Sequence, residues 1–348
     1  ELETNYYQLK KNPLFKNSIF TNYKSLSKTI TSNNFIPDIA FTPSLNINNL
    51  LHWRNNFKYF FPIIGLVHGI HSYKDLENLQ DSKKYMSELD SFICPSTDTL
   101  EVLLKIGIKK SQVKLISYGV NITKFKPFYN KLELRTKYKI NSDKIVLLIL
   151  SRISPELKSD LTPLFRLIPQ IKNTSNLLIY IVGHVSNESY VNELKNFSKI
   201  ASIDHLIKWN HNPDHENIQE YFQLSDIFLS LSDFYGESFG LTVQEAMAAG
   251  LPSILSEFSG YKTHLTNQVE GFYIPTITTN TNLDDEFYYG VQDEFGHSYS
   301  QTIAMDYNKL IDSINSLIES KSLRDQMGKK AREKIKKNYT LTNMLYNY

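Results

Sequence analysis

The stretch FYGESFGLTVQEAMAAGLPSILS, residues 234–256, reads as loop, turn, helix, turn and strand. Glu237 falls in the loop, Gly240 ends a turn of small residues, and the Ala-rich run after it predicts a helix carrying Glu245. Gly250, Leu251 and Pro252 stop that helix and start an apolar strand. A fresh helix end presents free N–H groups and a positive dipole end to an anion. A carboxylate one turn further on can accept hydrogen bonds from sugar hydroxyls. The segment therefore reads as a grip on a phosphorylated, hydroxyl-rich ligand.

Working outward, apolar runs alternate with amphipathic ones. KIVLLILSRI (144–153), NLLIYIVGH (176–184), HLIKWN (205–210) and DIFLSLS (226–232) predict strands. LTPLFRLIPQI (161–171), YVNELKNFSKIAS (190–202) and ENIQEYFQLS (216–225) predict the helices between them. Continuous apolar strands in βα alternation imply a parallel sheet covered on both faces. Further upstream, DIAFTPS (38–44), FPIIGLVHG (61–69), SFICPS (91–96) and VKLISYGV (113–120) read as strands. KKYMSELD (83–90) and TDTLEVLLKIG (97–107) read as helices, the second capped by Ser96 or Thr97 and stopped at Gly107. The charged stretch from Lys124 to Asp143, with Pro127, is the best boundary between two units. Residues 276–300 read as a long loop and 303–337 as helix.

A chain of 348 residues suits two domains of roughly 150 residues each. One cysteine, Cys94, cannot form an internal disulfide, which favours a reducing, cytoplasmic setting. No apolar run approaches the roughly 20 residues of a membrane span, and the start of the chain does not read as a signal peptide. Residues 1–127 hold fifteen Lys and one Arg against ten acids, a net +6 in a chain whose total is +2. Such a half suits phosphate groups, an anionic membrane surface or nucleic acid; on charge alone a solvated lysine-rich surface is preferred. WRNNFKYFFP (53–62) fits an interfacial patch or half-buried packing, and its poor periodicity favours packing. No Asp-x-Asp, no Cys/His cluster and no phosphate-binding G-x-x-x-x-G-K-[ST] occurs.

Glu237 and Glu245 stand eight apart, a spacing that means little until its context is added. The segment resembles the E-x7-E signature of retaining glycosyltransferases of the GT-B class, family 4, where E-x-F-G-[LI]-x-x-x-E-A-M-A-x-G-x-P recurs. Glu237, Phe239, Gly240, Leu241, Glu245, Ala246, Met247, Ala248, Gly250 and Pro252 match it. LLILSRISPELKSDL (147–161) is similar to the family's strand and loop that hold the donor diphosphate, with Arg152 and Lys158 as its cations. Ser151 replaces the usual Gly, and the loop to Lys158 is one residue longer than the commonest form. His68, ending IIGLVHG, matches a family His near the donor sugar, with His71 a weaker neighbour. ISYGVNITKFKP (116–127), FICPSTDTLEVLLKIG (92–107), GYKTHL with EGFYIP (260–275), YSQTIAMD (299–306) and the final NYTLTNMLYNY resemble further family stretches.

The resemblance implies an α/β fold of GT-B type: two Rossmann-like domains whose parallel sheets face across a cleft, with a C-terminal helix crossing back. The expected domains are 1–127, a linker at 128–143, a donor domain at 144–330 and the returning helix at 331–348. It implies a metal-independent, hexosyltransferase-like enzyme transferring with retention from a UDP- or GDP-linked sugar as co-substrate, with no cofactor. Glu237 and His68 would face the sugar. Arg152, Lys158 and the backbone of Gly240, Leu241 and Thr242 would hold the diphosphate, and Glu245 the ribose. The acceptor would be a glycan, a lipid or a small molecule. No nucleic acid is expected, and a peripheral contact with the inner face of a membrane through the basic half stays open. One departure stands out: the family normally begins with a strand and a Gly-rich loop, whereas Gly65 is the first glycine here. A cut or replaced N-terminus, or a reduced acceptor side, is the expectation that follows. Two alternatives remain beside transfer: a GT-B protein that only binds a sugar nucleotide or glycan, and a phosphorylase or epimerase on the same fold.

Overall fold

The computed structural model describes residues 37–278 and 302–348. The expectation for the first 35 residues and most of the 276–300 loop lie outside the described residues.

The first unit is a parallel sheet in the order β1 (Ala40–Thr42), β2 (Ile63–Leu66), β3 (Ser91–Cys94), β4 (Val113–Leu115). Parallel neighbours need crossovers; here they are α1 (Asn48–Phe57), α2 (Tyr73–Tyr85) and α3 (Thr97–Lys105). Ile47, Leu51, Phe61, Ile63, Leu79, Phe92, Cys94 and Leu103 form its core. Burial pushes the Cys94 thiol up to about 12, so it is an inert core atom.

The structure corrects one local expectation and decides others. The helix expected at 83–90 runs instead over 73–85, because Ser72 caps it by accepting the Asp75 N–H. Residues 87–90 turn, since the Asp90 carboxylate accepts the N–H groups of Ser87 and Ile63 and both Arg54 amino groups. Ser96, not Thr97, caps α3. The run 53–62 divides. Trp53 stacks on Tyr59, and Arg54 is buried on Asp90, while Phe57 and Phe60 are 57% and 93% exposed.

The second sheet holds β5 (Ile145–Leu150), β6 (Leu177–Val182), β7 (Ile207–Asn210), β8 (Ile227–Ser230), β9 (Ser253–Ser256) and β10 (Gly271–Ile274). All neighbours are parallel, in the order β7-β6-β5-β8-β9-β10. Alternate residues of β5 enter opposite cores. Val146, Leu148 and Leu150 pack on one face, and Leu147 and Ile149 on the other, as a doubly covered strand requires. The chain leaves β5 to one side and returns at β8 to the other. Ligands of such sheets bind beyond the carboxyl ends of the strands where the order reverses; here that is between β5 and β8.

Helices α4 (Lys131–Lys137), α5 (Thr162–Leu167), α6 (Glu188–Ile200), α7 (Ile218–Leu224) and α8 (Leu241–Ala248) flank this sheet. Within the stretch read as a linker, α4 is anchored to the second sheet: Arg135 and Lys131 both pair with Asp226. Residues 276–277 are not loop: β11 (Thr276–Ile277) pairs antiparallel with β12 (Ala304–Met305). Helices α9 (Tyr307–Glu319) and α10 (Lys321–Asn338) follow, divided where Ser320 caps the second. Arg332 of α10 donates to the carbonyls of Phe125, Ile122 and Ala248, clasping the crossover between domains. The chain then crosses back as α11 (Leu341–Asn347), placing Met344 and Tyr348 against Leu66, Ile93 and Ile116 of the first sheet. Among the described residues no helix is long and apolar enough to cross a membrane.

Candidate functional site

The loops after β5 and β8 meet, and hydrogen bonds fix how they meet. The Ser232 hydroxyl donates to the Lys158 carbonyl at 3.0 Å, and the Asp160 N–H donates to Asp233 at 3.3 Å. Tyr190 of α6 donates to Asp160 at 3.0 Å. Lys158 is thereby aimed inward, and its ammonium is ion-paired with the Glu237 carboxylate. Only 15% of the Lys158 side chain and 11% of the Glu237 side chain are accessible, so water screens this pair poorly. Burial alone would lower the Lys158 pKa; Tyr261 and Glu237 beside it outweigh that and hold it above the usual lysine value. Its ammonium lies 5.7 Å from the Tyr261 ring centre, and Tyr261 is itself buried, sharing a hydrogen bond with Ser230 at the end of β8.

Glu237 is held by its own backbone. Its N–H donates to Phe234, and its carbonyl accepts from Gly260 and the Ser259 hydroxyl. Three residues on, Gly240 precedes α8 with φ +89°. A side chain there would be strained, and its Cβ would stand 2.3 Å from Tyr261. The head of α8 has no side-chain cap. Leu241 there is 50% exposed, and the buried Thr242 hydroxyl has no hydrogen-bond partner among the described residues. Free N–H groups, an orphaned hydroxyl and a nearby lysine suit a phosphate group. Glu245 is half-buried one turn along α8. Burial pushes its carboxyl up to about 7, with Lys124 opposing.

Arg152 follows β5 by two residues and is exposed, its guanidinium making no ion pair among the described residues. From the first domain, His68 follows β2. Its Nδ1 shares a 2.6 Å hydrogen bond with Tyr118, and its carbonyl accepts from Ser238, the neighbour of Glu237. Burial first, then His71, lowers the His68 pKa, against a backbone bond to Pro43. Of the residues named from sequence, the structure pairs Lys158 with Glu237, sets His68 against Ser238 beside Glu237 and packs Gly240 on Tyr261 behind Lys158, while Glu245 lies a turn along α8 and Arg152 beyond the end of β5. Sequence reasoning did not single out Tyr261, Asp233 or Tyr118, which support the site through contacts no spacing rule encodes. Among the described residues no three His, Cys, Asp or Glu side chains gather as a metal site.

A doubly wound nucleotide-type domain, a second parallel-sheet domain facing it and a helix returning between them define a GT-B fold. Residues 130–286 match the family model for glycosyl transferases group 1. It is 22% identical over 233 residues to the D-inositol 3-phosphate glycosyltransferase of Streptomyces avermitilis, covering 60% of this chain and 49% of that protein. To the trehalose synthase of Pyrococcus horikoshii it is 24% identical over 221 residues, 62% and 46% of the two chains. The chain thus spans about half the length of the curated relatives it matches. Anabaena HepE, solved with UDP, superposes with a TM-score of 0.72 at 17% identity over 93% of this chain and 79% of that one. A Rickettsia africae glycosyltransferase gives 0.70 at 20% identity, over 95% and 81%.

Proposed function

We propose that the protein transfers a sugar, with retention, from a nucleotide-diphosphate sugar to a glycan, lipid or small-molecule acceptor. The observation that carries this reading is the buried Lys158–Glu237 pair beneath the uncapped head of α8. A cation, a carboxylate and an uncapped helix head, all on loops that follow β5 and β8, support the reading.

In this reading the diphosphate sits at the head of α8, between Lys158 and Arg152. The carboxylate of Glu237 neutralises Lys158, so Arg152 and the helix end supply the net positive field. As the bond to the anomeric carbon breaks, negative charge grows on the leaving phosphate. Fixed cations and N–H groups stabilise that charge more than the ground state, which lowers the barrier. These groups do the work a divalent metal does elsewhere, so the reaction is proposed to be metal-independent. Glu237 holds the sugar ring and offsets positive charge developing at the anomeric carbon. Its tie to Lys158 argues against a covalent nucleophile. The departing phosphate takes the acceptor proton. Glu245 accepts the ribose hydroxyls, and His68 faces the sugar from the first domain. A UDP-linked donor is favoured, because HepE of the same fold was solved with UDP and with UDP-glucose.

Calorimetric titration with UDP and GDP, followed by mass spectrometry of nucleotide-sugar mixtures, tests the reading. Binding of one nucleotide, with its sugar consumed when acceptor is present, supports transfer. Binding without consumption across acceptor panels would leave the protein a sugar-nucleotide binder.

A further inference from the structure

His71 lies between the end of β2 and the start of α2, and no function assigned above uses it. Its N–H donates to Asp75 at 2.9 Å, which pins it to the head of α2. Further contacts come from the second domain. Its carbonyl accepts the Tyr235 hydroxyl, and its ring lies parallel to Phe234, tilted by 6° with centres 6.1 Å apart. Two glycines make room for this one ring. A Cβ at Gly69 would stand 2.5 Å from Nε2 and 2.6 Å from Cε1 of His71, and a Cβ at Gly236 would stand 2.3 Å from its Nδ1. Gly69 belongs to the first domain and Gly236 to the second, one residue before Glu237.

We propose that His71 is a positioning residue for the reaction, its imidazole seated between Gly69, Gly236 and Phe234 so that the 234–237 loop is held against the first domain and Glu237 is aimed into the cleft. The catalytic meaning rests on the function proposed above; the seating of the ring does not. The charged groups facing the imidazole are Asp75 from α2, Glu237 and Arg152 from the second domain, and His68 beside it. Burial lowers its pKa, Asp75 and Glu237 oppose, and Arg152 adds to the lowering, so the seated ring is neutral at neutral pH.

The test is a double-mutant cycle of Gly69→Ala and His71→Ala, because a methyl at position 69 meets His71 and nothing nearer. Hydrogen exchange of segment 234–240 reports the loop, and kcat and KM with UDP-glucose report the site. We expect Gly69→Ala to speed exchange in that segment and to lower kcat by about tenfold to a hundredfold, with a smaller change in KM. In the His71→Ala background Gly69→Ala should add nothing. Independent, additive effects, or unchanged exchange in both single variants, would overturn the proposal. If the wild type turns over no UDP-glucose, the exchange cycle still decides whether His71 seats the loop.

Discussion

Lys158 and Glu237, 79 positions apart in the chain, form a buried ion pair that joins the loops after β5 and β8. Each carries the group the other needs in order to stay charged away from water. The pair therefore ties the fold together, and under the proposed function it also meets the ligand, two roles that separate experimentally.

Removing one partner leaves a poorly hydrated charge behind. Lys158→Ala should destabilise the protein by about 3 kcal/mol, read by urea denaturation, and should weaken UDP binding. The double variant Lys158→Ala/Glu237→Ala should be more stable than the sum of the single losses indicates. Additivity would mean that the two side chains do not interact in solution.

Glu237→Gln keeps the shape of the side chain and removes its charge. We expect a fall in kcat of about a hundredfold or more, with UDP affinity changed far less. A comparable loss in UDP binding would move Glu237 from the sugar to the diphosphate.

Glu245 carries a carboxyl that burial raises to about 7 in the free protein. Ribose hydroxyls donate best to the ionised form, so binding should draw a proton off. Nucleotide affinity should then rise as pH goes from 6 to 8, with proton release detected by calorimetry in buffers of different ionisation enthalpy. Glu245→Gln should abolish the part of that dependence that does not come from the nucleotide, and Glu245→Ala should weaken binding at every pH. Unaltered affinity in Glu245→Ala would remove the ribose assignment.

Asp90 is fully buried against Arg54 in the first domain. Burial alone would raise its carboxyl, but Arg54 and the N–H groups of Ser87 and Ile63 hold it below the usual Asp value. A depressed folded pKa contributes stability that is present above the unfolded value of about 3.9 and is lost as pH falls through the folded one. Acid titration should therefore show wild type losing stability below about pH 4, while Asp90→Asn, already weakened at pH 7, loses less over that range.

Much of the fold was legible because its strands are buried on both faces. IVLLIL in β5 and LLIYIV in β6 are continuous apolar runs that only a covered parallel sheet can hide. Helix α2 was misplaced because YKDLENLQDSKKY is rich in polar residues and, among its described side chains, only Leu79 and Ser82 are fully buried. What sets its limits is a local cap at Ser72 and the distant claim of Arg54 on Asp90.

The segment 234–256 determined by itself that Glu237 lies in a loop and that a turn ending at Gly240 opens the helix carrying Glu245, because turn and helix signals are local; the structure adds that Gly240 is left-handed. By resemblance the segment implied which residues belong together. Only the tertiary structure decided that Lys158 pairs with Glu237, that Tyr261 backs both, and that His71 reaches across to Gly236. Those relationships follow from the strand order that sets β5 beside β8 and from the helix that returns the chain to the first domain. Sequence separation carries no record of such proximity. It arises when buried charges and rings must find partners within a few ångströms, wherever in the chain those partners lie.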